Sequence, residues 1–332
     1  MTSASHGSTA GAVDADRSAP AAPAAVIDRV AAVAGVAPVA PELARSWLLV
    51  PGTADDLAAR IADSTADVVV VDLEDGVAPD RKGEARRALV DAVDTLDALD
   101  GSGSAARVRV WVRIADAASD EWRTDVALLR GRGLVAGVVL AKVESPDHVR
   151  RTVDALGGGA APPPIVALVE SARGVEAALE IASAPGVTRL AFGSGDFRRD
   201  TGAADDPLAL LYARSRLVST SRAAGLPGPV DGPTVSRDAA ALAEASAHAA
   251  SVGMTGRLCL REEQVGAVHA AMSPSPGDLA WALEVLETLE RCGIRDGSDL
   301  PRIGRARRIS DAAAAFGLDV AAVPSAASDY SG

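Results

Sequence analysis

The chain has 332 residues and a formal net charge of −12, with 48% hydrophobic residues but only 3% aromatics. That length suits one barrel-sized domain or two ordinary ones, and the hydrophobic fraction supplies ample core built from Ala, Val, Leu and Ile. The acidic balance argues against a nucleic-acid surface, which needs clustered Lys and Arg, and no apolar run approaches the length that spans a bilayer.

The N-terminus, MTSASHGSTAGAVDADRSAPAAPAA, lacks a basic start followed by an apolar stretch. It therefore reads as a disordered tail to about residue 40 rather than a secretory signal. Cys259 and Cys292 stand far apart in no ligand-like spacing, so a disulfide framework or zinc site is not expected and a reducing cytoplasm is the default. From Arg45 onward, strand-like and helix-like runs alternate. Strands are expected at SWLLVPG (46–52), DVVVVDLE (67–74), RVWVRI (109–114) and GVVLAKV (137–143). They continue at PIVALVES (164–171), TRLAFGSGD (188–196), PVDGPTV (229–235) and TGRLCLR (255–261). Between them lie Ala-rich amphipathic segments such as DDLAARIADS and GEARRALVDAV.

Near-continuous apolar strands alternating with helices indicate a parallel sheet covered on both faces. Eight such units is the count that closes a (β/α)8 TIM barrel of about 250 residues, although a doubly wound open sheet gives a similar alternation. The barrel is assigned to 41–272. GSGSAAR, around 102–107, and GGGAAPPP, at 157–164, read as loops between elements. After SPSPG (273–277), DLAWALEVLETLERCG and LPRIGRARRISDAAAAFG read as two helices without strands, a small C-terminal helical lid over 273–320. Residues 321–332 read as a second tail.

The stretch VVVVDLEDGV drives four β-branched residues straight into three acids, Asp72, Glu74 and Asp75. In a barrel of this type the active site is built at the C-terminal ends of the strands. Those ends carry Asp72, Glu74 and Asp75 after the second strand, Arg113 after the third, and Lys142 and Glu144 after the fourth. Glu170 ends the fifth and Asp196 the sixth. Neighbouring strands lie about 4.8 Å apart, so these last two carboxylates repel unless one is protonated or a cation sits between them. Oxygen-only ligation by one or two carboxylates is how Mg2+ is held; rim salt bridges with Arg or Lys are the alternative.

Arg113 suits a substrate carboxylate or a developing oxyanion, or else pairs with Asp72 or Asp75. Lys142 and Glu144 leave the same two readings open. None of His6, His148, His248 and His269 falls at an expected strand end, which argues against zinc or imidazole catalysis. The basic cluster of KGEARRALVDA reads as a solvated helix face.

Taken in order, RSWLLVPG, DLEDGVAPDRKGEAR, VRI, AKVESP, VES, FGSGDF, LLYARSRL, RAAGLP, VDGPTVSRDA and SPSPGDLAWA resemble the citrate lyase β-subunit-like proteins of the HpcH/HpaI aldolase and citrate lyase superfamily. The resemblance covers about 45–310. It implies a Mg2+-binding barrel that cleaves or forms a carbon–carbon bond in a 3-hydroxyacyl thioester, such as a citryl, malyl, citramalyl or methylmalyl ester of CoA or a carrier protein. Some members hydrolyse the thioester instead. Glu170 and Asp196 match the metal ligands, Glu170 and Lys142 also facing substrate, and Arg113 matches the substrate-binding arginine. Asp72, Glu74 and Asp75 match the acidic segment that orders the metal's waters and the arginine. Asp299 matches the lid aspartate that enters a neighbouring subunit's site, which implies a homotrimer or hexamer. The chain departs from the family pattern at Ala115, at Ala141 before Lys142, at Gly195, and at Leu260-Arg261-Glu262-Glu263-Gln264. The departure after the eighth strand is expected to alter the floor or thioester side of the pocket. A degenerate barrel that binds such an ester without turning it over is a further alternative.

Overall fold

Runs of β-branched residues alternate with Ala-rich helices, and the backbone of this computed structural model, which describes residues 39–100, 110–131, 135–157 and 162–318, follows that alternation. The first half comprises β1 (Ser46–Pro51), α1 (Leu57–Asp63), β2 (Val68–Asp72), α2 (Lys82–Asp100), β3 (Val110–Ile114), α3 (Asp120–Leu129), β4 (Val135–Leu140) and α4 (Pro146–Gly157). Then come β5 (Ile165–Val169), the short α5 (Ala172–Glu176) and α6 (Ala178–Ala182), β6 (Val187–Phe192), α7 (Ser194–Thr201) and α8 (Leu211–Ala223). The second half closes with β7 (Val230–Asp231), α9 (Ala239–Ser251), β8 (Gly256–Cys259), α10 (Val265–Met272), α11 (Pro276–Cys292) and α12 (Asp299–Ala315). All strand pairs are parallel, each strand pairs with its sequence neighbours, and β8 returns to β1. The sheet is thus the closed eight-stranded barrel, not the open alternative. Except for residues 39 and 40, the expected N-terminal tail lies outside the described residues, as do the tail at 321–332, the loop around 102–107 and part of GGGAAPPP.

The period-2 geometry of a strand sends alternate side chains to opposite faces. One set fills the barrel: Trp47 and Leu49, Val68 and Val70, Trp111, Val139, Val166 and Leu168, Ala191, Val230, Leu258. The other set, including Leu48, Val69, Val71, Val112, Val138, Ala167 and Leu190, faces the helices. Two of the four tryptophans lie inside. Trp47 and Trp111 meet edge to face with centroids 5.1 Å apart, and a side chain at Gly137 would place its Cβ 2.3 Å from the Trp111 ring. Truncating either tryptophan to alanine costs about 3–5 kcal/mol.

Three sequence expectations need correction. β7 is two residues long rather than seven, because Pro229 and Pro233 lack the N–H a ladder requires. Its Asp231 is buried between Arg214 (3.0 Å) and Arg257 (2.8 Å). β6 stops at Phe192, so Ser194 to Asp196 form the first turn of α7 instead of extending the strand. The basic cluster at the start of α2 is only partly solvated. Lys82 donates to the carbonyls of Leu73 and Glu74, both at 2.7 Å. Arg86 pairs with Glu121 and with the fully buried carboxylate of Asp125, 2.8 Å away.

After α10 the chain leaves the barrel. A Ser275–Asp278 capping box with Pro276 in the first turn starts α11. The two terminal helices pack through their own apolar cluster, Ala282, Val285, Ile303 and Ala306. At the far end of α12, Phe316 lies under the Arg45 guanidinium, 3.9 Å from ring centroid to Cζ. Arg45 immediately precedes β1 and is itself held by Asp67 and Ser273. The helical pair is therefore anchored to the foot of the barrel, opposite the C-terminal ends of the strands.

Candidate active site

Following the inward-facing series one step past the core reaches the site. Val68 and Val70 are succeeded by Asp72, Trp111 by Arg113, and Val166 and Leu168 by Glu170; Asp72 and Arg113 are register partners. The same periodicity that buries valine and leucine thus stacks a charged layer directly on an apolar one.

Asp72 has no free capacity. It accepts Arg113 Nε at 2.7 Å and Nη2 at 2.5 Å, and the backbone N–H groups of Glu74 (2.8 Å) and Gly76 (2.9 Å). Glu74 stands 3.4 Å from Arg113 Nη1 and also pairs with Lys142, whose ammonium reaches Asp75 at 3.1 Å. Burial pushes Glu74 up, an effect that Arg113 and Lys142 only partly offset. Burial opposes the charges of Arg113 and Lys142, yet their acidic partners outweigh it and hold both above their ordinary values. Both are cations throughout the neutral range. The pairing reading of Arg113 describes what its fork does here: one edge is spent on Asp72 and Nη1 stands against Glu74, and the guanidinium lies behind the residues that line the cavity.

Glu170 and Asp196 are treated differently. Glu170 is 7% exposed and, among the described residues, makes no ion pair. Its Oε1 accepts the Lys142 backbone N–H at 2.8 Å. Its Oε2 lies against Gly193, where an added Cβ would come within 2.4 Å. Burial, opposed by the Lys142 N–H and reinforced by the charges of Asp196 and Glu74, pushes Glu170 up to about 8. Asp196, from the first turn of α7, pairs through one oxygen with the exposed Arg199 at 3.2 Å. Its other oxygen is buried without a hydrogen-bond partner, 3.9 Å from Lys142 Nζ.

A strained carboxylate beside a carboxylate oxygen with no partner is what a divalent cation would relieve. Among the described residues no three His, Cys, Asp or Glu side chains form a ready-made cage. Mg2+ does not require one, since one or two carboxylates hold it while water and substrate fill the octahedron. The residues present fit that ion.

Lys142, Glu144, Glu170 and Asp196 all line one cavity of about 610 Å3 at the barrel mouth. Sequence reasoning missed several of its other residues: Asp116, His148, Ser171, Arg199 and Asp200. Ser171 donates to Glu144 at 2.7 Å and caps α5 by accepting the Gly174 N–H. His148 lines the cavity although, as expected, it does not stand at a strand end. It sits in the first turn of α4, and helix starts, like strand ends, face the C-terminal rim of a barrel.

Asp299 is not brought to this cavity in its own chain. It begins α12, where Arg295 donates to it from its backbone N–H (2.9 Å) and its guanidinium (3.1 Å), pulling its carboxyl down to about 2. The unusual segment after β8 also lies off the cavity lining. Gln264 accepts the N–H groups of Leu260 and Arg261 and donates to Thr234, while Arg261 donates to the Ser236 carbonyl at 2.8 Å. It is a satisfied turn tying the loops after β7 and β8 together. Ala115 is buried with its N–H on Asp125. Gly195 faces open space, with no atom within 4 Å of where its Cβ would be.

Comparison with known proteins agrees with this geometry. The HpcH/HpaI aldolase/citrate lyase family model matches residues 45–261, and the HpcH/HpaI aldolase C-terminal domain matches 277–317. A citrate lyase subunit beta-like protein from Deinococcus radiodurans is 32% identical over 74% of this chain and 85% of its own. The human mitochondrial citramalyl-CoA lyase is also 32% identical, over 73% of this chain and 74% of its own. The crystal structure of CitE from Mycobacterium tuberculosis in complex with magnesium, acetoacetate and coenzyme A superimposes with a TM-score of 0.65 at 29% identity, covering 82% of this chain and 99% of that one. With its closed barrel, its charged rim and matches along most of its length, the chain belongs to the HpcH/HpaI aldolase/citrate lyase family.

Proposed function

We propose that this chain is a Mg2+-dependent carbon–carbon lyase that cleaves or forms a 3-hydroxyacyl-CoA-type thioester, of the malyl, citramalyl or citryl class, by retro-aldol or Claisen chemistry. One observation carries the proposal: Glu170 and Asp196 face one cavity, the first raised to about 8 and the second with a buried oxygen that has no partner. The citramalyl-CoA lyase relative, and the magnesium and coenzyme A of the mycobacterial structure, support the same reading.

Glu170 and Asp196 would hold the ion, which when bound supplies Lewis-acid polarisation of the substrate's oxygens, worth several kcal/mol in the transition state. The chain's own residues do the rest. Arg113, fixed by Asp72, presents its remaining N–H groups to negative charge that develops as the carbon–carbon bond breaks. Because Asp72 locks the guanidinium beforehand, little reorganisation is left for the reaction step. Lys142 orients the acidic loop through Glu74 and Asp75 and faces the substrate's acid half.

A proton must also reach the acyl half. We assign it to Asp299 of a second copy in a homotrimer or hexamer, since Asp299 lies away from its own cavity. Among the described residues no helix is long and apolar enough to cross a membrane. With its cysteines unpaired, the chain suits a cytoplasmic setting.

The decisive assay incubates malyl-, citramalyl-, methylmalyl- and citryl-CoA with the protein, with and without Mg2+. An oxo acid plus acetyl- or propionyl-CoA, formed only with the metal, is the expected result. Free hydroxy acid plus CoA would mark hydrolysis instead, and binding without product would mark a barrel that has lost turnover. Mixing Asp299→Ala with Arg113→Ala subunits should restore part of the activity each lacks; absence of rescue defeats the shared site.

A further inference from the structure

Among the described residues, Asp56 and Lys142 are the only non-glycine positions with positive φ, each at 51°. Lys142 is at the active site, where a left-handed lysine is a strained choice that persists only when its surroundings over-determine it. Its neighbours supply that constraint. The Ala141 N–H bonds back to Ile114 of β3 at 3.2 Å, and the Val143 N–H bonds forward to Leu168 of β5 at 3.0 Å. The chain must swing from one flanking strand to the other within a single residue. The left-handed turn is how Lys142 does so, and its N–H is thereby aimed at Glu170 Oε1, 2.8 Å away.

Its ammonium points the other way, onto Glu74 and Asp75. One residue thus touches carboxylates from two sides of the mouth, with its main chain on one and its side chain on the other. Glu170 is confined further by Gly193, which packs against Oε2. The Lys142 N–H is therefore what fixes the rotation of the Glu170 carboxylate, and with it the direction in which that carboxylate meets an ion.

We infer that Lys142 is a positioning residue whose left-handed backbone, rather than its positive charge, sets the divalent-ion affinity of the Glu170–Asp196 pair. The inference rests on the metal reading of that pair and goes beyond it by separating two contributions of one residue. The ammonium acts in the opposite sense: at 3.9 Å from Asp196 Oδ2 it repels an incoming cation.

The test measures Mg2+ alone by titration calorimetry, and Mn2+ alone by electron paramagnetic resonance, on substrate-free full-length protein. Lys142→Gly and Lys142→Asn tolerate a left-handed backbone and keep the N–H. Both should bind as tightly as wild type or a few-fold tighter. Lys142→Ala should bind about fivefold more weakly than the glycine variant, and Lys142→Val about tenfold or more, because a β-branched residue resists positive φ. Thermal midpoints recorded alongside separate this ordering from a general loss of fold. If the valine variant does not fold, the glycine and asparagine variants against alanine decide the question. An identical loss in all four, following the missing charge, overturns the inference, as does affinity unchanged across them. A wild-type chain that binds neither ion overturns it together with the metal reading beneath it.

Discussion

Glu170 offers the sharpest test of the site because its environment makes a quantitative demand. Its carboxyl is pushed from an ordinary 4.5 up to about 8, chiefly by burial, while the Lys142 N–H opposes and Asp196 and Glu74 add to the push. Without metal at pH 7 it is therefore about nine-tenths protonated. A cation binds only the ionised form, so binding must expel the proton: about 0.9 per ion at pH 7, about 0.5 at pH 8 and about 0.1 at pH 9. Titrating Mg2+ into metal-free protein in two buffers of different ionisation enthalpy reads this number directly. Glu170→Gln should abolish the release and weaken the ion strongly. The same shift has a stability consequence of definite sign. The folded chain holds this proton more tightly than the unfolded one, so the stabilisation is complete below about pH 4.5 and is lost as pH rises through about 8. For a residue this buried, the difference between 4.5 and 8 corresponds to about 5 kcal/mol. Metal-free protein should melt progressively lower across that window, and Mg2+ should restore the midpoint at the alkaline end. Tight Mg2+ binding at pH 7 with no proton released would refute the reasoning.

Three further outcomes follow from named contacts. Asp196→Asn removes the charge from the oxygen without a partner, so Mg2+-dependent turnover should disappear while the thermal midpoint changes little; retained activity would contradict the ligand assignment. Arg113→Met strands Asp72 as a buried unpaired charge and should cost about 3–5 kcal/mol in chemical denaturation, whereas adding Asp72→Asn should recover part of it. Gly195→Ala, in a helical first turn with open space around it, should gain about 0.5–1 kcal/mol; a loss would mean that Gly195 serves the loop in some other way.

The barrel was legible because its determinants are local and repetitive. Valine-rich runs such as Val68–Val71 declare a strand buried on both faces, and eight of them leave a parallel sheet a natural point of closure. Asp72 and Glu170 were legible for the same reason, since position relative to a strand end needs only the strand, whereas Asp196 reaches the rim from the first turn of α7. What escaped depends on contacts between distant residues. Lys82 and Arg86 look like solvated helix charge until the carbonyls after β2 and the Asp125 carboxylate are brought beside them. His148 counts as a mouth residue only when the whole barrel aims the start of α4 at the rim. The left-handed turn at Lys142 is imposed by hydrogen bonds from strands on either side, and no propensity of lysine announces it.

The distribution of charge across the rim supports the proposed metal reading of Glu170 and Asp196. Five of the rim carboxylates divide into a group of three and a group of two by their share of Arg113 and Lys142. Asp72, Glu74 and Asp75 take up both Arg113 and Lys142 through short contacts. Glu170 receives only a backbone N–H, and Asp196 receives the exposed Arg199 and, at the longer distance of 3.9 Å, the Lys142 ammonium. A barrel selected for stability alone would pair these two acids or replace them, because an unpaired buried carboxylate is among the more costly defects a fold can hold. The fold instead builds two supports against Glu170, a strained turn at Lys142 and a glycine at 193 that a methyl group would block. On the proposed metal reading, a cation held between Glu170 and Asp196 would answer both the burial that raises the first and the partnerless oxygen of the second. That relief would then contribute to affinity for the ion and, through it, for an anionic substrate.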